Sequence, residues 1–462
     1  MAGSRLGTWL DDRTGIGALV RRLLDHPVPP RVGWRYVLGS ATLVAFLLQV
    51  ATGIALATLY VPSTADAYQS LQYITHDAAF GRALRGLHYF GASAMMILIG
   101  AHLARVFLTG SYKFPREVNW LSGVLLLFLT TLMAFTGQLL RWDQDGVWSE
   151  VVAAEQAGRV PGIGRAIAHF LLAGDRIGGP TLTRSFAFHV FFIPALIFAG
   201  VGLHIYLVLR TGVSEPPEVS APADPRTYRP WYTRLLEREG RPFWPSAAWR
   251  DLLFATVVLA TVIVLAWVVG PAPLGKPPDP TLVDASPRPD WYFLWYYALL
   301  ATVPHWLESL TMVLAPVIAI IVLLALPFVA GRGSRHLRDR PWAPVIVLVI
   351  VGGVAWFAYE GGRAPWSPRF GADPIAAAVV GTTAGPVSDG AQLFHDKGCE
   401  YCHMIAGTGG VRGPDLTHVA RRLDRAQLVS RVLGGGGDMP AYAGTLTDAE
   451  LQSLIAFLES RR

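Results

Sequence analysis

The chain has two cysteines, and they stand together in Cys399-Glu400-Tyr401-Cys402-His403. That Cys-x-x-Cys-His spacing is the pattern of covalent c-type haem attachment. The two thiols add to the two vinyl groups along one porphyrin edge, and the next residue brings an imidazole beneath the iron. His403 is the expected proximal ligand. Met439, in Gly437-Asp438-Met439-Pro440, is the expected sixth ligand, because Met/His ligation suits electron transfer and raises the potential. His395 and His418 are the weaker alternatives, and Met404 lies too close to His403 to reach the opposite face. A zinc knuckle would need further cysteines or histidines at suitable spacing, and two cysteines exclude a disulfide framework.

Four other histidines lie within long apolar runs. His88 and His102 are 14 residues apart, and His189 and His204 are 15 apart. An ionisable side chain inside a membrane span is costly and functional by default. Fourteen helical residues advance about 21 Å over about four turns and return close to the starting face. Each helix therefore presents two imidazoles on one face, near opposite membrane surfaces. Two such helices side by side could sandwich two non-covalent haems, since neutral imidazole is a standard haem ligand. Gly39 and Gly53, and again Gly123 and Gly137, repeat with the same period of 14. Glycine lets a bulky group approach the backbone, so these four are expected to make room for the haem edges. Arg85 at one end, and Arg105 or Arg116 at the other, are the expected partners of haem propionates.

Helices that cross a bilayer must hold these groups. The chain is 52% hydrophobic and only 16% charged, so much of it is solvated by lipid. Seven runs approach the roughly 20 apolar residues a span requires, near 34–60, 86–108, 119–139, 186–209, 250–269, 307–330 and 342–358. Arginine and lysine concentrate in the N-terminus and in the segments 109–118, 210–250 and 331–341. These four regions alternate with the others, so they share one side, and basic loops belong inside. The net charge of +6 reflects them and not a nucleic-acid partner. Seven spans then put the C-terminus outside, the compartment in which c-type haem is attached. No cleavable signal is visible in residues 1–30, so the first span is expected to serve as its own signal. Residues 10–25 read as an amphipathic surface helix, and the loop 140–185 as surface helices. Residues 360–385, rich in Gly, Ala and Pro, read as a tether. The fold class is all-α: a seven-helix membrane bundle with a small soluble haem domain, whose last helix opens on the capping box Thr447-Asp448-Ala449-Glu450.

Residues 25–340 resemble the cytochrome b family of bc and chloroplast-type bf complexes. The resemblance rests on Trp34-Arg35-Tyr36, Leu48-Gln49-Val50-Ala51-Thr52-Gly53, Phe107-Leu108-Thr109-Gly110 and Pro115-Arg116-Glu117. It rests also on Thr136-Gly137-Gln138-Leu139-Leu140-Arg141-Trp142-Asp143-Gln144 and Thr181-Leu182-Thr183-Arg184. The 14-then-15 histidine spacing is similar to the bf type. The resemblance implies ligand pairs His88 with His189 for an outer haem b and His102 with His204 for an inner one. It divides the chain into a four-helix di-haem part (1–215), a three-helix part like subunit IV (216–360), a linker (361–386) and a class I cytochrome c domain (387–462). Pro289-Asp290-Trp291-Tyr292 resembles the Pro-Glu-Trp-Tyr motif of the outer quinol-oxidation site. Quinol oxidation releases two protons, so a carboxylate there can accept one. Asp290 is that acid, Tyr292 its catalytic neighbour, and Pro289 and Trp291 line the quinone. Aspartate in place of glutamate points to menaquinol. Two positions depart from the family. Val37 stands where the bf type has a cysteine holding an additional haem, and Tyr89 replaces an arginine after the outer ligand. The inner quinone site is marked only by Arg210.

The function these readings imply is that of the cytochrome b/c subunit of a quinol:cytochrome c oxidoreductase in a bacterial cytoplasmic membrane. Its N-terminus would be cytoplasmic and its haem c domain outside. Two haems b and one haem c are expected, with quinol as substrate. The implied partners are a Rieske iron–sulfur protein, a soluble or membrane cytochrome c or terminal oxidase, and a second copy of the chain. The competing readings are a di-haem membrane anchor of a dehydrogenase, which would have fewer spans and no Pro-Asp-Trp-Tyr segment, and a non-catalytic haem sensor or assembly subunit, which would show an open coordination position.

Overall fold

A computed structural model describes residues 5–278, 288–363, 374–410, 413–435, 439, 441–443 and 445–462. Residues 364–373 of the expected linker lie outside the described residues. Seven helices are long and apolar enough to cross a membrane: Leu38–Ala57, Gly81–Leu108, Glu117–Leu139, Gly179–Thr211, Ala248–Val268, Ser309–Val329 and Trp342–Arg363. The count matches the sequence reading, and the ends move by a few residues. The first span begins at Leu38 because Trp34–Tyr36 forms a 3-10 turn. The last runs to Arg363, beyond the apolar stretch that ends near 358.

The described residues form two compact units. One comprises 1–140, 185–273 and 291–359, and the other 141–184, 274–290 and 360–462. In the first, the packed centre is made by Ala41, Ala45, Phe46, Met95, Leu98, Leu129, Ile193 and Ile197. Small residues allow the helices to approach: an added Cβ at Gly86 would lie 3.0 Å from Ala266. Most other apolar side chains of the spans face outward, such as Val268 and Leu348. A helix apolar on all sides is stable in lipid, because its backbone groups are satisfied internally.

At one end of this bundle three basic loops meet around a buried ion pair. Arg335 and Glu215 are both fully buried, with Nη1 and Oε1 2.7 Å apart. Tyr228 donates to Glu215 Oε2 at 2.6 Å and accepts from Arg116 at 2.8 Å. Arg335 also donates to the carbonyl of Phe114. The loops after the second, fourth and sixth spans are thereby joined, and all three belong to the set that the charge pattern places on one side. The N-terminal segment forms two short helices, Arg5–Thr14 and Ile16–Leu24, with Gly15 at φ 64° between them. A single amphipathic helix over 10–25 was expected, and the left-handed glycine breaks it.

In the second unit, the 140–185 loop forms the expected helices, Gln144–Gly158 and Gly164–Leu172. The C-terminal domain packs helix Pro386–Asp396 across helix Asp448–Glu459. They cross at Gly390, where a Cβ would lie 2.0 Å from the carbonyl of Ser453, and the contact continues through Phe394 on Phe457. The capping box at Thr447 and Glu450 is formed, and a second one joins Asp424 and Gln427.

Candidate functional site

The four membrane histidines and the four glycines meet in pairs. An added Cβ at Gly53 would lie 3.3 Å from His88 Cε1, and one at Gly39 3.2 Å from His102 Cε1. At Gly137 it would lie 2.6 Å from His189 Cε1, and at Gly123 3.6 Å from His204 Cε1. Each of the four glycines therefore lies against an imidazole ring. Three of the rings are oriented through Nδ1 by the hydroxyl that precedes each glycine. Thr52 is 2.9 Å from His88, Ser122 2.8 Å from His204, and Thr136 3.2 Å from His189. The carbonyl of Met133 also lies 3.0 Å from His189 Nδ1. A neutral imidazole that donates from Nδ1 leaves Nε2 as the ligand atom. Leu38 precedes Gly39, so His102 lacks such a hydroxyl, and its Nδ1 is buried with no hydrogen-bond partner.

The His88 and His189 ring centroids are 6.3 Å apart. Two imidazoles on one metal, each bound at about 2 Å, have centroids roughly 6 Å apart. The residues at this end thus fit a group ligated from both faces. Two arginines expected beside haem propionates are already engaged. Arg85 donates to Thr75 Oγ1 and to the carbonyl of Ala272. Arg116 donates to the carbonyls of Thr211 and Gly212 and to Tyr228. Arg105, one turn beyond His102, is instead stacked 4.4 Å over the Tyr36 ring, with its Nε buried and unpartnered.

The unequal spacings have a structural explanation. His88 and His102 lie on a continuous α-helix. His189 lies in a π-helical turn, Phe188–Phe192, that precedes the α-helix carrying His204. A π-turn takes up one extra residue, so 15 residues here keep nearly the phase that 14 keep in the other helix. Pro194 follows the turn directly, and the wider turn relieves the clash a proline makes with the carbonyl four residues earlier. Deleting Phe191 together with Pro194→Ala should therefore leave the haem b spectrum intact. Deleting Met96, between His88 and His102 where no such turn exists, should rotate one ligand by about 100° and bleach one haem b. Equal losses in the two deletions, read by reduced-minus-oxidised spectra, would exclude the π-turn as the cause.

In the C-terminal domain, Cys399, His403 and Met439 line one cavity with Phe394, Leu416, Val432, Tyr442, Leu454 and Leu458. His403 Nδ1 lies 2.8 Å from the carbonyl of Pro414, which holds the ring with Nε2 available. Burial pushes the Cys399 thiol up to about 12, as suits a thiol enclosed by apolar walls. The other ligand candidates are occupied. His395 is paired with Glu400, His418 faces the carbonyl of Arg462, and Met404 is outside the cavity wall. The residues present fit a covalently held haem.

A second cavity, of about 60 Å3, lies beside Tyr36, the ring over which Arg105 is stacked one turn beyond His102. Its wall includes Gly33, Tyr36, Val37, Val213, Arg250 and Asp251. Burial raises the Tyr36 phenol to about 12 against the opposing charge of Arg105. Arg210 is exposed, donates to Tyr206, and is not part of this wall. Asp251 and Tyr36 were not singled out from the sequence. An acid in the first turn of a span reads equally well as a partner of the helix dipole.

Asp290 closes the 274–290 segment. Arg141 Nη1 is 3.7 Å from its carboxylate, and Arg141 Nη2 is 2.6 Å from Asp143. Asp143 also accepts from Gly146 N and Gly275 N. On the same helix Glu150 is buried, which pushes its carboxyl up to about 7. Tyr292 and Trp291 open helix Trp291–Thr302, where Trp291 donates to Ser93.

Comparison with known proteins accounts for most of the chain. A family model described as Cytochrome b/b6/petB matches residues 23–212, and Cytochrome b(C-terminal)/b6/petD matches 277–380. The cytochrome b6 of Heliobacterium mobile is 38% identical over 210 residues, which cover 99% of that protein and 45% of this chain. The chain belongs to the cytochrome b/b6 family. The menaquinol:cytochrome c reductase cytochrome b subunit of Bacillus subtilis is 37% identical over 222 residues, 99% of that protein and 46% of this chain. The cytochrome b of Cereibacter sphaeroides is 29% identical over 435 residues, 95% of that protein and 87% of this chain. A solved structure titled Hyperthermophilic respiratory Complex III superimposes with a TM-score of 0.64 at 27% identity, covering 91% of that chain and 78% of this one. Residues 385–458 match a model described as Cytochrome C oxidase, cbb3-type, subunit III. This cytochrome b is thus a multi-span membrane protein extended by a cytochrome c domain, and haem is the cofactor of both parts.

Proposed function

We propose that this chain is the cytochrome b/c subunit of a bacterial quinol:cytochrome c oxidoreductase, holding two haems b and one haem c. The observation that carries the reading is the four-fold histidine–glycine pairing on the membrane helices, present in the same chain as the cavity formed by Cys399, His403 and Met439. Bound haem supplies reversible one-electron iron chemistry. His88 with His189 and His102 with His204 would hold two such groups across the span, and His403 and Met439 a third. Menaquinol is the preferred substrate, in keeping with the Bacillus subtilis relative. A quinol hydroxyl proton passes to the Asp290 carboxylate on the outer side. Pro289, Trp291 and Tyr292 flank that acid in sequence and line the quinol.

At the other side, the cavity bounded by Tyr36, Arg250 and Asp251 would receive the quinone to be reduced, with Asp251 supplying a proton. Val37, on its wall, offers no thiol for a further covalent group. A Rieske iron–sulfur protein, a cytochrome c or terminal oxidase and a second copy of the chain complete the complex. The N-terminus is cytoplasmic, and the haem c domain stands outside. A di-haem anchor accounts for neither the Pro289–Tyr292 segment nor the fused haem domain.

Asp290→Asn should abolish Rieske-dependent menaquinol oxidation in the purified complex, with two haems b to one haem c retained in the reduced-minus-oxidised spectrum. Unaltered turnover would remove Asp290 from the mechanism.

A further inference from the structure

One guanidinium serves three carboxylates beside Asp290. Arg141 is 2.6 Å from Asp143, 3.5 Å from Asp145 and 3.7 Å from Asp290. The three are not equivalent. Asp143 is fully enclosed, caps helix Gln144–Gly158 and accepts from Gly275, so it cannot leave. Asp145 accepts from the backbone of Arg288 at 2.8 Å and fixes the segment that ends in Asp290. Asp290 is the most distant partner, and its side chain keeps some exposure.

The geometry points to Arg141 as a positioning residue, an electrostatic latch that holds Asp290 in place as the carboxylate and gives up that pair at little cost when Asp290 is protonated. The inference rests on the reading of Asp290 as the proton acceptor. When a quinol O–H bond breaks and its proton forms an O–H bond on Asp290, the ion pair with Arg141 is neutralised. Arg141 is not left as an unpaired buried charge, a state that is strongly unfavourable, because Asp143 and Asp145 remain. Losing Asp290 therefore costs Arg141 little. A guanidinium with Asp290 as its sole carboxylate would instead resist release. Asp290 takes one of the quinol's two protons; the other would leave with the electron that passes to the iron–sulfur partner, and the second electron would pass to bound haem.

Among the described residues, the charged groups on the segments around Asp290 are Arg141, Asp143, Asp145, Lys276 and Arg288; Asp279 and Asp284 of the same segment lie outside the described residues. Two of them can be changed with opposite expected signs. In the assembled complex, oxidation of a short-chain naphthoquinol is followed from pH 5 to 9. Arg141→Gln removes the favourable charge and should move the acid limb of kcat/KM upward by about one pH unit, the lower end for a charge at this distance. Turnover on the acid side would then fall about tenfold. Arg141→Lys should restore most of the shift. Asp145→Asn keeps an acceptor for the Arg288 backbone but removes a competing charge, so its limb should move downward. Opposite shifts do not arise from general loosening of the loop. If Arg141→Gln fails to assemble, the Asp145→Asn shift carries the test alone. Limbs unmoved or moved the same way, with Asp290→Asn inactive, would overturn the latch and leave the role of Asp290 standing. Full activity in Asp290→Asn would instead overturn that role.

Discussion

Gly137→Ala should eliminate the haem b held by His189, while Gly123→Ala should leave the spectrum nearly unchanged. Both substitutions add one methyl group to the third span. At Gly137 that methyl would lie 2.6 Å from His189 Cε1 and 3.2 Å from Nδ1. Carbon pairs are comfortable at about 3.5–4.0 Å, so the ring must move. It has little freedom, because Thr136 and the carbonyl of Met133 both engage Nδ1. A displaced or rotated imidazole loses the axial ligand position. At Gly123 the methyl would lie 3.6 Å from His204 Cε1, an ordinary contact. Gly39 and Gly53, at 3.2 and 3.3 Å, should fall between. Reduced-minus-oxidised spectra of the four alanine variants, each normalised to the haem c band, test the order. Comparable haem loss at Gly123 and Gly137 would show that steric clearance is not what the glycines provide.

Glu215→Ala should destabilise the protein by about 3–5 kcal/mol, the usual cost of leaving one member of a buried ion pair behind. Glu215 accepts from Arg335, Tyr228 and Ser220. It is the carboxylate to which this buried network of Arg335, Tyr228 and Arg116 converges. Without it Arg335, fully buried, faces hydroxyls and a backbone carbonyl alone. The double variant Glu215→Met, Arg335→Met should recover much of the loss, because it removes the stranded charge as well. Thermal unfolding in detergent, followed by helical circular dichroism, gives the comparison. A double variant as unstable as the single one would place the effect in packing and not in charge.

The sequence shows the chemistry-bearing residues better than it shows their neighbours. The haem c motif is contiguous, the membrane histidines recur with a helical period, and the spans are long apolar runs, so each is carried by local order along the chain. The engagement of Arg116 is different in kind. Its carbonyl partners lie 95 and 96 residues away, and nothing near it in sequence says that its guanidinium is already bound. Asp251 was passed over for the same reason, since it shares a cavity wall with Tyr36 and Val37, more than 200 residues earlier in the turn before the first span. The period of 14 picks out the four glycines, but that an imidazole ring faces each of them depends on side-chain direction, which the period does not contain. Arg141 stood inside a motif quoted for its resemblance alone; Asp143 and Asp145 are near it in sequence, but the third carboxylate, Asp290, joins them only when segments 141–145 and 288–290 are brought together.

The π-helical turn beside His189 also bears on how such chains diverge. It is a slack loop in an otherwise taut ruler. A codon gained or lost within Phe188–Phe192 changes the numbering between two ligands without displacing either one, so a lineage can pass between spacings of 14 and 15 with no haemless ancestor. Elsewhere in these helices the same insertion would strand a ligand and be removed by selection. Histidine spacing in the fourth span is therefore a weak marker of descent, and the presence or absence of the wider turn is the character to compare.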